Sequence, residues 1–139
     1  MNGWLLDTNV LIDLIFARSP AVVDRYVREL EARGPMFLSA ISVFEFRFGA
    51  ERSPRRDAQL QALDRFLASV TVVDFDERDA EEAARIKADL AAVGTPIGAY
   101  DLLIAAQAKV RTLTVATGNI REFSSVRDLP VEDWKVADV

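Results

Sequence analysis

Residues 4–16 read Trp4-Leu-Leu-Asp7-Thr-Asn-Val-Leu-Ile-Asp-Leu-Ile-Phe16, and the fold follows from how they are parsed. Gly3 to Asp7 is short, apolar and bounded by turn-forming residues, as in a buried strand. Thr8 to Phe16 carries apolar residues at helical spacing. A strand running straight into a helix is the opening of a crossover unit, in which parallel strands are joined by helices.

The same alternation continues outward. Ser19-Pro20 is a cap followed by proline at the first helical position, and Gly34-Pro35 ends that helix. Met36 to Ser39 reads as a second strand, and Ala40–Ala50 as a helix capped by Ser39. Arg52 to Arg56 is a polar loop before a helix with Leu60, Leu63, Phe66 and Leu67 on one face. Val70 to Asp74 reads as a third strand. A long helix runs from the acidic stretch at 74–82 to about Val93. Another runs from Gly98 to Val110. Thr112 to Ala116 reads as a fourth strand, 117–123 as a loop with one helical turn, and the tail as a fifth, short edge strand. The expected architecture is a three-layer α/β/α sandwich around a parallel sheet, as a single domain over residues 1–139.

The chain has 139 residues, half of them hydrophobic and 28% charged, which suits a globular domain. It contains no Cys and no His. Disulfides, cysteine nucleophiles, Ser-His-Asp triads, haem and ordinary zinc sites are thereby excluded. A metal here would need oxygen ligands, which favours Mg²⁺ or Mn²⁺. The formal net charge of −5 resides in the run Asp74-Phe-Asp-Glu-Arg-Asp-Ala-Glu-Glu82, where acids at a helix start suit the helix dipole. No apolar run is long enough to span a bilayer, and no basic residue precedes the first apolar stretch, so a cytoplasmic location is expected.

Three acids stand in apolar company. Asp7 lies between Leu6 and Val10-Leu-Ile12. Glu45 shares a helical stripe with Ile41, Phe44 and Phe48, a face expected to meet the core. Asp101 lies in Ala99-Tyr-Asp-Leu-Leu-Ile-Ala-Ala106. Each has an ordinary explanation: Asp7 or Asp101 as a helix cap, Glu45 paired with Arg47 or another arginine. Jointly they suggest more. In open parallel sheets, ligands gather beyond the carboxyl ends of the strands. If strands one, two and four are neighbours, Asp7, Glu45, Asp101 and the segment Thr117-Gly-Asn119 meet at one edge. Clustered acids repel, and a divalent cation relieves the repulsion. Such a site without His performs phosphoryl chemistry, as in a hydrolytic nuclease or phosphatase. Asp13 is expected to face solvent or form a local salt bridge, and Trp4, Phe44, Phe46 and Phe48 to be core residues.

Leu-Leu-Asp-Thr-Asn-Val-Leu-Ile-Asp-Leu14, the segment 39–49, Ile97 to Ala108 and Leu113 to Phe123, in this order, resemble the PIN-domain ribonucleases, and more closely the VapC-type toxins of bacterial toxin–antitoxin pairs. The tail Leu129-Pro-Val-Glu-Asp-Trp134 is also similar to that subgroup. The resemblance implies strand order 3-2-1-4-5 and a Mg²⁺- or Mn²⁺-dependent endoribonuclease acting on a transfer or ribosomal RNA. Asp7 and Asp101 match the metal-holding aspartates and Glu45 the acid of the second motif. Thr8 and Asn9 match the polar pair after the first aspartate, and Thr117 the hydroxyl residue of the fourth motif. Asn119 stands where many members carry a fourth acid, with Glu122 three residues on as the alternative. A cognate antitoxin, an RNA substrate and a homodimer or higher assembly are implied as partners. Arg47, Arg52, Arg55 and Arg56 are candidates for phosphate contacts, against the ordinary reading of a solvated surface. Two other functions compete: a catalytically impaired PIN-like module acting in an antitoxin-bound, DNA-regulatory complex, supported by Asn119 alone, and a haloacid-dehalogenase-type phosphatase, disfavoured because Asn9 stands where that chemistry needs a second acid.

Overall fold

The computed structural model describes residues 3–136. Five strands, β1 (Trp4–Leu6), β2 (Met36–Ser39), β3 (Thr71–Val73), β4 (Thr114–Thr117) and β5 (Val131–Asp133), pair in the order β3-β2-β1-β4-β5. Every pairing is parallel. Seven helices are described: α1 (Thr8–Ile15), α2 (Pro20–Glu31), α3 (Ala40–Glu51), α4 (Arg56–Leu67), α5 (Glu77–Ala92), α6 (Ala99–Arg111) and α7 (Ile120–Ser124). The expected α/β fold and strand order are both observed.

Helices cover both faces of the sheet, and alternation along the strands shows it. Leu5 and Leu6 are adjacent and both fully buried. Leu5 packs into a core with Ile104, Val115 and Phe123. Leu6 packs into another with Val10, Leu11, Leu38 and Trp134. Successive strand residues point to opposite faces, so two apolar residues in a row require two cores. The fourth strand starts later than expected. Thr112 is left-handed (φ 56) and closes α6, with its N–H on the Ala108 and Lys109 carbonyls, which delays the sheet to Thr114.

The acidic run is structural. Asp76 and Asp79 form a reciprocal capping box at the start of α5. Asp79, fully buried, receives Arg111 Nη1 at 2.6 Å. At the far edge of the sheet, Arg25 anchors β5. Its guanidinium donates to Glu132 at 2.7 Å and to Glu29 at 3.0 Å and lies over the rings of Trp4 and Trp134.

Helix α3 is rotated from the expected orientation. Its buried residues are Ser42, Phe46 and Ala50, whereas Phe44 and Phe48 are 50% and 54% exposed. Phe44 meets Tyr100 edge-on. Both stripes have helical spacing, and Ser42 earns burial through a polar contact that periodicity does not register. Trp4 and Phe46 take core positions as expected.

Candidate active site

The site forms where β1, β2 and β4 end. Asp7 follows β1 directly, and its N–H donates to the Ala116 carbonyl at 3.0 Å. It caps α1, with Oδ1 accepting from Val10 N–H at 2.8 Å. Its other oxygen, Oδ2, accepts from the Thr117 hydroxyl at 2.5 Å. Thr117 in turn accepts from Asn119 N–H at 2.8 Å. Asp7 is only 2% exposed. Burial pushes its carboxyl up to about 6, against the two hydrogen bonds, with smaller contributions from the negative charges of Asp101 and Asp13. The capping explanation of Asp7 is therefore true and insufficient: a neutral cap would do the same task at less electrostatic cost.

Glu45 is placed by Thr8, whose hydroxyl donates to Oε1 at 2.6 Å. A second hydroxyl, Ser42 Oγ, bonds Thr8 Oγ1 at 2.9 Å. Ser42 was not among the residues singled out from sequence; its position one turn before Glu45 on α3 is the signal that could have marked it. Glu45 does not pair with Arg47, which instead lies 3.8 Å from Asp64.

Asp101 is in the first turn of α6, but the cap position belongs to Gly98 and carries no side-chain cap bond. The capping explanation therefore does not apply to Asp101. Its carboxyl is also pushed up to about 6, first by burial, then by the charges of Glu122 and Glu45 and a hydrogen bond with Glu122. A Cβ on Gly98 would lie 3.5 Å from Asp101 Oδ2 and 4.0 Å from Glu122 Oε2, so both carboxyls face this glycine. Glu122 is thus the acid that joins the group from the β4 side. The Asn119 side chain makes no cap bond at the start of α7; this residue contributes its backbone N–H. Asn9 is exposed on α1.

Asp7, Glu45, Asp101 and Glu122 converge from four parts of the chain, and among the described residues none of them forms an ion pair. The donors are all oxygens, a set suited to Mg²⁺ or Mn²⁺, and the raised carboxyls of Asp7 and Asp101, pushed up first by burial and then by neighbouring acids, are what a divalent cation would relieve. Among the described residues no three acidic side chains already stand as a ready-made ligand shell; Asp7 has both oxygens engaged by Val10 and Thr117.

Asp13 departs from expectation. It is 8% exposed rather than solvated, and its partner is distant in sequence, Lys135 Nζ at 3.7 Å from Oδ2. Of the arginines, Arg56 is held by Glu51 at 2.7 Å and Asp57 at 2.8 Å, and Arg52 lies over the Phe48 ring. Arg55 sits just before α4 and is exposed. No helix is long and apolar enough to cross a membrane among the described residues.

The family model for the PIN domain matches residues 4–129. The chain is 34% identical over 134 residues to the tRNA(fMet)-specific endonuclease VapC of Shigella flexneri, covering 96% of this chain and 99% of that protein. It is 30% identical over 134 residues to ribonuclease VapC2 of Rickettsia felis, covering 94% and 97%. Among solved structures, the DNA-bound VapBC of Salmonella typhimurium superposes with a TM-score of 0.87 at 34% identity, over 96% of this chain and 99% of that one.

Proposed function

Since this chain belongs to the PIN-domain family, and within it to the VapC ribonucleases, we propose that it is a Mg²⁺- or Mn²⁺-dependent endoribonuclease and the toxin of a toxin–antitoxin pair. The observation that carries the reading is the convergence of four carboxylates that form no ion pair among the described residues, two of them pushed up to about 6. Structural acids are normally paired or solvated; a cluster with no cation paired to it among the described residues is built for one from outside.

Asp7, Asp101 and Glu45 would hold the metal, with Glu122 completing the acid group from α7. When bound, the cation supplies charge that lowers the pKa of the attacking water and screens the phosphate. The chain's own residues fix the geometry beforehand. Thr117 and Val10 N–H pin Asp7 in one rotamer. Thr8 does the same for Glu45, and Ser42 orients Thr8. Asn119 N–H holds the Thr117 hydroxyl so that its proton points at Asp7. Hydroxyls in these supporting positions orient carboxylates without neutralising them, which leaves the full negative charge for the cation.

The substrate is RNA, and transfer RNA is favoured because the Shigella and Salmonella relatives are named for tRNA(fMet). The partner is a cognate antitoxin, supported by the VapBC complexes among the structural relatives, in an assembly containing a second toxin copy. Exposed Phe44, Phe48 and Tyr100 offer apolar surface for the antitoxin beside the site. The action is assigned to the cytoplasm, where tRNA resides. The test is induced expression of the chain alone against Asp7→Ala, followed by sequencing of RNA 5′ ends. Growth arrest with discrete new ends for the native chain only is expected. Equal behaviour of the two chains would remove the enzymatic reading.

A further inference from the structure

Lys135 is fixed beside the catalytic end by contacts that a free surface lysine lacks. It follows Trp134, which is fully buried. Trp134 N–H donates to the Thr117 carbonyl at 2.8 Å, and Lys135 N–H donates to Asp133 Oδ1 at 2.9 Å. Its stem then lies flat on Gly118. A Cβ at Gly118 would fall 2.8 Å from Lys135 Cε and 3.0 Å from Cδ, so the stem of the lysine occupies the space that a side chain at residue 118 would fill. Gly118 itself lies between Thr117, which holds Asp7, and Asn119.

The ammonium ends 3.7 Å from Asp13 Oδ2. That is too long for a hydrogen bond, and Asp13 Oδ2, although buried, has no hydrogen-bond partner among the described residues. Asp13 therefore steers the ammonium by charge and leaves its N–H donors available, and Lys135 is half exposed. A polyanion approaching four carboxylates is repelled. A cation laid across the loop that holds Asp7 offsets this at the rim.

We infer that Lys135 is a substrate-positioning residue, whose ammonium takes a backbone phosphate of the RNA next to the acid cluster, with Gly118 as the bed of its stem and Asp13 as its tether. The inference rests on the nuclease reading above and adds a residue to it. Lysine suits a point contact to phosphate, and such contacts set register rather than sequence preference.

The test uses the full chain and a tRNA(fMet) transcript. Binding is measured in EDTA across a salt series, and cleavage in Mn²⁺. For Lys135→Met the expected result is a Kd and KM raised about 5- to 10-fold at low salt, as for loss of one partly exposed charge contact. kcat stays near the native value. The log–log salt slope flattens by about 0.7–0.9, one phosphate contact. Lys135→Arg restores slope and KM, and Lys135→Gln, which keeps most of the stem, repeats the loss. Thermal melts confirm that each variant is folded. A merely structural Lys135 would lower the melting temperature and leave the slope unmoved. If the native chain cleaves and Lys135→Met shows native KM and slope, the inference is overturned while the nuclease reading stands. If the native chain neither binds nor cleaves the transcript, the inference falls together with the transfer-RNA assignment, and the nuclease reading is decided by the RNA 5′ ends.

Discussion

Asp7→Asn should make the metal-free protein more stable at pH 8 while abolishing its response to metal. Burial raises the Asp7 carboxyl from 3.8 to about 6. Its ionised form is thus disfavoured by about 3 kcal/mol in the folded chain relative to the unfolded one. Below about pH 4 the carboxyl is protonated in both states and costs nothing. Between about 4 and 6 the folded chain retains a proton that the unfolded chain has released, so stability falls as pH rises, and above 6 the whole penalty is present. Asparagine removes the charge and keeps the shape, with Oδ1 still able to accept from Val10 N–H. The charged acceptor bond from Thr117 is lost, which costs about 1–2 kcal/mol. The net gain at pH 8 is about 1–2 kcal/mol, or about 3–7 °C in Tm for a chain of this length. Melting curves in EDTA at pH 4, 6 and 8 measure it, and the gain should vanish at pH 4. With Mn²⁺ at 100 times Kd the order reverses: the native chain gains about 2.7 kcal/mol and the variant gains nothing. An Asp7→Asn protein less stable than the native one at pH 8 in EDTA would refute the reasoning, because Asp7 would then be a cap and nothing more.

Thr8→Val should reduce cleavage about 10- to 100-fold, since it frees Glu45, and should lower stability by about 1–2 kcal/mol, since it leaves the buried Ser42 hydroxyl without its Thr8 partner; rates and melts on the same preparation check this. Mn²⁺ affinity measured by calorimetry should rise steeply from pH 5 to 7.5, because Asp7 and Asp101, both pushed up to about 6, must lose protons to bind. Arg111→Ala should cost about 3–5 kcal/mol in urea unfolding, by stranding the fully buried Asp79. Arg55→Ala with Arg56→Ala should weaken RNA binding and flatten its salt dependence; an unchanged slope would return these arginines to ordinary surface.

The acids were legible in the sequence because each broke an apolar pattern, and a charge in such a place needs a reason. Their convergence was legible through the crossover topology, which puts strand ends on one side. Other features were hidden for physical causes. The exposed Phe44 and Phe48 look like core by periodicity, since two stripes on α3 have equal helical spacing and the one that faces inward includes the polar Ser42, whose partner Thr8 lies on another helix. Asp13 resembled a surface acid because its cation lies at the other end of the chain. Glu122 rather than the Asn119 side chain joins the group because α7 turns residue 122 toward Gly98, and a five-residue helix leaves little pattern to read. Lys135 gave no signal, as its stem occupies space that a side chain at Gly118 would fill.

The grip of Arg25 on β5 has a further consequence for how the molecule assembles. A three-residue edge strand carries few ladder bonds to fix its alignment, and slippage by a single position would turn Glu132 to the opposite side of the sheet. The guanidinium, already committed to Glu29 and wedged against two indoles, then has nothing to grasp, and Trp134 loses its slot. Misaligned docking is thus penalised at once, from behind, by a residue on α2 far away in sequence. Because Thr117 takes its carbonyl contact from Trp134, the same checkpoint that aligns the last strand also sets the height at which Asp7 is held.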